Sequence, residues 1–180
     1  MPLLDLIKKR QSTRAYDARP VEREKLERCL EAARLAPSAC NAQPWRFIVV
    51  DDKALKDEVA HATFGKLVSF NHFTMQAPVL VLAVAEVKPG SATFGSLVRG
   101  VPLHYIDMGI ATGHFCLQAA EEGLGTCILG WVKEGKIRRL LRVPGRKKIV
   151  LAIAVGYPAT DEIREKKRKT IDEIREFNAY

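Results

Sequence analysis

Cysteine and histidine are scarce in this sequence and follow no ligand spacing. The four cysteines include no C-x-x-C pair, and the four histidines include no pair at the i, i+4 spacing of helical zinc sites. The cysteines stand among apolar neighbours, which is typical of small buried side chains in a reducing compartment. We therefore predict no metal site and no structural disulfide.

Long apolar segments are also missing. No segment approaches the ~18 uninterrupted apolar residues of a membrane-spanning helix. The first residues, MPLLD, lack the basic and apolar regions of a secretion signal. We expect a cytoplasmic protein that does not enter a membrane. Its 180 residues, 47% hydrophobic and 28% charged, predict one domain over 1–180 that ends in a basic tail over 160–180.

Three common catalytic or phosphate-binding motifs do not occur in the chain. It contains no G-x-x-x-x-G-K-[ST], no H-E-x-x-H and no G-x-S-x-G. The glycines between Gly123 and Gly130 resemble a dinucleotide-binding fingerprint, but they follow a predicted helix and precede a predicted strand. Pyrophosphate binding requires the reverse order, so we reject that motif here.

Positive charge is what the sequence has in excess. The 29 Lys and Arg residues against 21 Asp and Glu give a net charge of +8. Such an excess favours an anionic partner, which could be a nucleotide or a nucleic acid. Charge alone does not choose between the two.

Hydrophobic periodicity predicts a chain of alternating helices and strands. Strands are predicted over 45–50, 79–85, 126–132 and 148–155. Helices are predicted near 3–10, over 21–36, and from the Asp51-Asp52 cap to about His61, with a further helical stretch through Phe64, Leu67, Val68 and Phe73. The run over 79–85 is continuous and β-branched, so we expect a central strand.

The second half of the chain contains the longest predicted helix. It covers about 102–122 and has apolar residues on all faces, so we expect it to be buried all round. A short helix over 135–142 precedes the last strand. The glycine-rich connection over 88–100 is a candidate substrate lid. Residues 171–177 of the tail fit a helix and a strand equally well.

A phosphate clamp is predicted at the end of the first helix. If the backbone is extended after Arg10, the side chains of Arg10, Ser12 and Arg14 point to one side. Arginine suits an oxyanion because its planar guanidinium forms paired, charge-assisted hydrogen bonds. The alternative is a solvated basic segment.

A loop rich in small and amide side chains lies between the second helix and the first strand. Its sequence is S-A-C-N-A-Q-P over 38–44. The amides of Asn41 and Gln43 offer both donors and acceptors, which the edge of a flavin ring requires. Together, clamp and loop suggest a mononucleotide whose ring is recognised at one edge, such as FMN. The alternative for the loop is ordinary turn chemistry.

Taken in order, these segments resemble the FMN-dependent nitroreductases. The resemblance covers nearly the whole chain. It includes R-x-S-x-R-x-Y from Arg10, A-P-S-A-C-N-A-Q-P-W-R-F from Ala36, D-M-G-I-A from Asp107, G-L-G-T-C from Gly123, G-Y-P from Gly156 and the basic tail.

The resemblance implies an α+β fold, a three-layer α/β/α sandwich around a mainly antiparallel sheet, built as an intertwined homodimer with FMN at the interface. It implies that one subunit holds the phosphate and ribityl chain and that the other approaches the ring. The implied cofactor-binding residues are Arg10, Gln11, Ser12, Arg14, Pro37, Ser38, Ala39, Cys40, Asn41, Gln43, Asn71, Leu129, Gly130, Lys166 and Arg168.

The implied reaction is the reduction of bound FMN by NADH or NADPH, followed by reduction of a small acceptor such as a nitroaromatic or a quinone. The cofactor supplies the hydride chemistry, so no side chain is assigned as catalytic. The segment between Val87 and Val101 is short compared with many family members, so the substrate does not follow from the resemblance.

Three alternatives stay open from the sequence. The chain could be a flavoenzyme of the same fold with another physiological substrate, or a flavin-binding protein without turnover. It could also be a basic module that binds nucleic acid, although such a module needs exposed aromatics among its basic residues. Trp45 and Trp131 lie in predicted strands. We therefore predict no nucleic-acid partner.

Overall fold

The computed structural model describes residues 2–65, 69–87, 90, 95, 97, 98 and 100–180. Its strands are β1 (Trp45–Val50), β2 (Val79–Ala85), β3 (Gly125–Leu129) and β4 (Lys148–Gly156). Its helices are α1 (Leu3–Lys9), α2 (Arg23–Arg34), α3 (Lys53–Ala60), α4 (Leu103–Glu121) and α5 (Glu134–Leu140). Short 3-10 turns lie at Ala39–Asn41 and His72–Met75.

The four strands form one antiparallel sheet in the order β1-β2-β4-β3. All seven residues of β2 are buried, as the continuous apolar run predicts for a strand covered on both faces. The segment after α1 adds to the sheet next to β3. There, Ser12 forms a parallel bridge with Thr126, and Tyr16 forms an antiparallel bridge with Pro158.

Helices cover both faces of the sheet, so the predicted α/β/α sandwich is confirmed. Alternate residues of β2 point to opposite faces. Leu80 and Leu82 pack into one cluster with Val59 of α3 and Ile137 of α5. The side chains on the other face pack against α2 and α4, in a second cluster that contains Val79, Val81, Leu26, Cys29, Ala111, Phe115 and Ala119.

Some element predictions are wrong or lie outside the described residues. Phe64 is not helical, and Phe73 lies in the 3-10 turn His72–Met75. Leu67, Val68 and most of the candidate lid over 88–100 fall outside the described residues. Residues 171–177 are neither helix nor strand. The tail instead runs across the surface of the chain.

The prediction that the long helix is buried all round is wrong for the single chain. One side of α4 packs on α2 and the sheet, but Ile106 is 51% exposed and Ile110 is 36% exposed on the other side. Gly109 also lies on this exposed side. The sequence pattern does not distinguish a face that packs within the chain from an apolar face that the chain leaves open.

Among the residues that the structure describes, no helix has both the length and the apolar character needed to cross a membrane.

Candidate functional site

The predicted clamp is an extended segment that packs along the edge of the sheet. The Thr13 N–H donates to the Thr126 carbonyl at 2.9 Å, and the Asp17 N–H donates to the Tyr157 carbonyl at 2.9 Å. Thr13 is buried and Arg14 is exposed. This alternation fits the extended backbone that we predicted for the segment.

A glycine and a buried tyrosine hold the clamp segment against the sheet. A Cβ atom added to Gly125 would overlap the Thr13 side chain, at 2.8 Å from its Cβ. Only glycine therefore admits this close approach. The Tyr16 hydroxyl donates to the Thr13 carbonyl at 2.9 Å. Burial raises the pKa of Tyr16, so its hydroxyl keeps the proton that it donates.

The tail is tied to the clamp segment by side-chain hydrogen bonds. The Gln11 Nε2 atom donates to the Glu162 carbonyl at 2.7 Å, and its Oε1 accepts from the Arg164 N–H at 3.2 Å. The Arg164 guanidinium donates to the Ser12 carbonyl, and the Lys166 Nζ donates to the Lys8 carbonyl. The basic tail thus lies directly over the predicted clamp.

We call the resulting group of cations the basic cluster, which consists of Arg10, Arg14, Arg164, Lys166 and Arg168. None of them forms an ion pair with any residue that the structure describes. Burial, together with the positive charges of Arg10 and Arg168, lowers the pKa of Lys166. Asp161 and Glu162 border the cavities next to these cations, but neither forms an ion pair with them.

Two cavities flank the clamp segment. Arg10 lines one of about 340 Å³, and Arg14 and Arg164 line the other, of about 250 Å³. Both cavities are also bordered by Gln11 and Thr13. The two guanidiniums that we predicted to converge therefore face different cavities in the single chain.

Arg164 is a member of the cluster that the sequence analysis missed. It stands outside the run K-K-R-K over 166–169, and nothing in its local sequence sets it apart from the other arginines. Only its contacts with Gln11 and Ser12 reveal its position.

The amide loop is held in an unusual backbone conformation. Cys40, Asn41 and Gln43 have φ values of 51°, 52° and 45°, in the left-handed region that residues other than glycine avoid. Each such residue costs on the order of 1 kcal/mol or more, and such strain clusters at functional sites. Pro37 is exposed and precedes the loop, and Ser38 accepts the Gln43 N–H on its Oγ at 3.0 Å.

The two amides of the loop are hydrogen-bonded to each other. The Gln43 Nε2 atom donates to the Asn41 carbonyl at 3.2 Å and to the Asn41 Oδ1 at 3.1 Å. Within the described structure, this leaves the Asn41 Nδ2 donors and the Gln43 Oε1 acceptor without partners. Both residues are exposed. A donor and an acceptor are thus presented side by side, which is the pattern expected for reading a flavin edge.

Asp107 anchors the loop from the helix behind it, and the sequence analysis did not assign it a role. Its Oδ1 accepts the Ala39 N–H at 3.1 Å. The residue is only 5% exposed, and its Oδ2 has no hydrogen-bond partner among the described residues. The only sequence signal was an acidic residue inside an otherwise apolar helix.

The clamp and the loop lie at opposite ends of α4. Asp107 touches the loop, whereas Ala120 borders a clamp cavity. At 1.5 Å of rise per residue, these two positions of the helix are about 20 Å apart. A single chain therefore does not bring the two halves of the predicted site together.

The remaining predicted residues lie near the end of β3. Leu129 is buried and ends the strand, and Gly130 is exposed. The Lys133 N–H donates to the Ala62 carbonyl at 2.7 Å, which brings the chain after α3 next to this end of the sheet. Asn71 is buried nearby, and its Nδ2 atom donates to the Thr63 carbonyl at 2.9 Å.

Comparison with known proteins shows the family of the chain. The sequence pattern of the nitroreductase family matches residues 7–157. The chain is 30% identical to an NADH dehydrogenase of Thermus thermophilus, over 89% of this chain and 90% of that protein. It is 28% identical to an iodotyrosine deiodinase of Thermotoga neapolitana, over 87% of this chain and 88% of the other.

A solved structure shares the fold over nearly the whole length. The FMN-dependent nitroreductase of Clostridium difficile superposes with a TM-score of 0.75 and is 29% identical, covering 98% of this chain and 99% of that chain. With the family pattern matching most of the sequence, the chain is an oxidoreductase that belongs to the nitroreductase family.

Proposed function

We propose that this protein is a homodimeric, FMN-dependent NAD(P)H oxidoreductase that reduces a small acceptor such as a nitroaromatic or a quinone. The observation that carries the proposal is the basic cluster, which gathers five cations without a carboxylate partner beside an extended backbone segment. Other cations of this chain have a carboxylate partner, as Arg28 has in Glu122. The cluster therefore has the character of an anion site.

The donors of the cluster fit the phosphate of FMN. A phosphate dianion would compensate the positive charges that lower the pKa of Lys166. Arg10, Ser12 and Arg14 would hold the phosphate and the ribityl chain, with Lys166 and Arg168 beside them. Gln11 would also hold the tail in place, because its side chain forms hydrogen bonds with the tail backbone. We add Arg164 to this set because it contacts Gln11 and Ser12.

The loop residues fit the flavin ring. Pro37, Ser38, Ala39, Cys40 and Asn41 would approach the ring, with Gln43 supporting Asn41 through its amide. Because the loop conformation is fixed by its own hydrogen bonds and by Asp107, little ordering would be needed on binding. Leu129, Gly130 and Asn71 would border the same ring.

A homodimer would complete the site. The exposed side of α4 presents Ile106 and Ile110, with the small Gly109 between them, and α1 exposes Leu3 and Leu4. Apolar surface of this kind marks an interface. If two copies pair through α4 in antiparallel orientation, two-fold symmetry places the loop of one subunit opposite the clamp of the other.

Bound flavin would take up hydride from NADH or NADPH and deliver reducing equivalents to the acceptor. The residues of this chain bind and orient the flavin, and we assign none of them a proton transfer. The NADH dehydrogenase relative supports nicotinamide as the donor, and the FMN-dependent nitroreductase supports FMN as the cofactor. The deiodinase relative supports a second candidate, in which the same site reduces a halogenated aromatic.

The visible spectrum of the purified protein tests the proposal. We expect a yellow protein whose flavin absorption is lost on anaerobic addition of NADH or NADPH and returns with a nitroaromatic or a quinone. Iodotyrosine in place of these acceptors tests the second candidate. A colourless protein that also fails to bind added FMN would overturn the flavin assignment.

A further inference from the structure

A second group of cations surrounds a cavity at the opposite end of the sheet from the basic cluster. The cavity has a volume of about 280 Å³. It lies between the ends of β2 and β4 and the first turn of α4. Its polar lining consists of His104, Tyr105, Arg146, Lys147 and Lys148. We call it the second basic cavity.

The charges around this cavity are only partly compensated. Glu86 accepts from Lys147 at 3.1 Å, but it also pairs with Arg46 at 2.9 Å. Glu134 likewise serves two cations, Lys148 and Arg138. Arg146 is exposed and forms no ion pair or hydrogen bond among the described residues. The cavity therefore has an excess of positive charge.

The cavity adjoins the amide loop through the sheet. Ala85 pairs with Trp45 on one side and with Lys148 on the other. Because neighbouring strands are about 4.8 Å apart, Lys148 lies about 10 Å from Trp45, at the point where the loop enters β1. Tyr105 is two positions before Asp107, which binds the loop.

An aromatic surface lies at the edge of the same cavity. The Tyr105 ring is 42% exposed, and its centroid is 4.1 Å from that of the His104 ring. An exposed ring beside cations can stack a nucleic base while the cations hold a phosphate. This combination points to a ligand that carries both groups.

We propose that the second basic cavity binds the phosphorylated adenosine end of NADPH and makes NADPH the preferred donor over NADH. The inference rests on the proposed function, since it assumes a nicotinamide donor at the neighbouring flavin. NADPH carries a phosphate on its adenosine ribose that NADH lacks. Arg146 and Lys147 provide charge-assisted donors for that phosphate, and Tyr105 provides a surface for adenine.

Donor kinetics with Arg146→Ala test this assignment in the flavin-loaded enzyme. We expect the wild type to have a higher kcat/KM for NADPH than for NADH. Arg146→Ala should raise the KM for NADPH by roughly tenfold or more, the usual worth of one charge-assisted hydrogen bond, and leave NADH kinetics and flavin content unchanged. Arg139→Ala, which removes an exposed arginine outside the cavity, should change none of these values.

A binding measurement keeps this inference separate from the proposed function. Calorimetric titration with adenosine 2′,5′-bisphosphate and with adenosine 5′-monophosphate requires neither flavin nor turnover. We expect the bisphosphate to bind more tightly, and Arg146→Ala to remove the difference. This result would support the cavity even if the protein held no flavin. Equal binding of the two nucleotides would overturn the inference. So would an Arg146→Ala effect that appears only in the kinetics of a negatively charged acceptor and not in those of NADPH.

Discussion

At the scale of single residues, the basic cluster differs from the ion-paired arginines of the protein in what surrounds it. Arg28 and Arg46 each have a carboxylate within hydrogen-bonding distance, at 2.7 and 2.9 Å. Arg10 and Arg14 have none in the described structure. Burial lowers the pKa of Lys166, and the neighbouring charges of Arg10 and Arg168 lower it further, as expected where cations lie close together. Binding of an anion would relieve that repulsion.

Arg14→Ala tests the contribution of one cluster residue. We expect the affinity for FMN to fall by about tenfold to over a hundredfold, because one charge-assisted hydrogen bond to the phosphate is lost. Fluorescence titration of the flavin-free protein measures this change, and Arg139→Ala is the control of equal charge. If Arg14→Ala binds FMN as tightly as the wild type does, Arg14 is a solvated surface residue and not part of the phosphate site.

Gly125→Ala tests whether the clamp depends on close packing against β3. The new methyl group would overlap Thr13, so we expect a loss of about 1–3 kcal/mol in the free energy of unfolding, together with weaker FMN binding. Urea unfolding measures the loss. Gly135→Ala is the matched control, because its nearest atom would be 3.9 Å away. Equal stability of Gly125→Ala and wild type would contradict the packing described for Thr13.

At the scale of elements, β1, β2 and β4 could be predicted because their signal is local, whereas the third strand ends at Leu129 and not at residue 132 as predicted. The buried run of β2 and the apolar stretches of β1 and β4 identify strands without reference to any neighbour. The extended backbone of the clamp segment could also be predicted, but the predicted convergence of Arg10 and Arg14 is not seen in the single chain, where they line different cavities. α4 ends shortly before Gly123, whose φ is +77°. This end could also be predicted, because glycine adopts a positive φ without strain and often follows the last turn of a helix.

Features that depend on distant parts of the chain could not be predicted. The open face of α4 has the same apolar pattern as a buried face, so only the packing of α2 and the sheet shows which side stays exposed. Arg164 joins the cluster through Gln11, more than a hundred residues away. The left-handed conformation of Cys40 depends on hydrogen bonds within the folded loop and on the hydrogen bond that Asp107 accepts from the neighbouring Ala39 N–H.

The pairing of α2 with the end of α4 predicts a dependence of stability on pH. Arg28 donates to both oxygens of Glu122 at 2.7 Å, and these bonds lower the pKa of Glu122 below its usual value. The resulting stabilisation is present above the pKa of the unfolded chain and is lost as the pH falls through the lower pKa of the folded protein.

Glu122→Gln should therefore lower the Tm at pH 7 by less than about 4 °C, as expected for a largely solvated ion pair, and should have a smaller effect near pH 3. Thermal unfolding at the two pH values measures this difference. Glu31→Gln removes an ion pair within α2 alone and should shift the Tm less. An effect of Glu122→Gln that persists unchanged at low pH would show that packing rather than charge is responsible.

At the scale of the whole molecule, one chain places the two parts of the proposed site at opposite ends of the same helix. The loop lies at Asp107 and the clamp near Ala120, and the apolar surface between them is open at Ile106 and Ile110. Pairing of two chains through this surface would join each clamp to the other chain's loop. The central claim is therefore that each flavin site is shared between subunits.

Mixed dimers test this claim most directly. One variant breaks the clamp, with Arg10→Glu and Arg14→Glu, and another breaks the loop, with Ser38→Trp and Asn41→Ala. Each homodimer should lose flavin from both sites. In a heterodimer, one site combines both lesions, whereas the other draws an intact clamp and an intact loop from different chains.

Co-expression with two purification tags isolates the heterodimer, and its flavin content is the decisive measurement. We expect one FMN per heterodimer, with NAD(P)H oxidation restored. Both homodimers serve as controls and should contain no flavin while remaining folded. If the purified heterodimer binds no FMN although both variants fold, each site is built within one chain, and the shared site is contradicted.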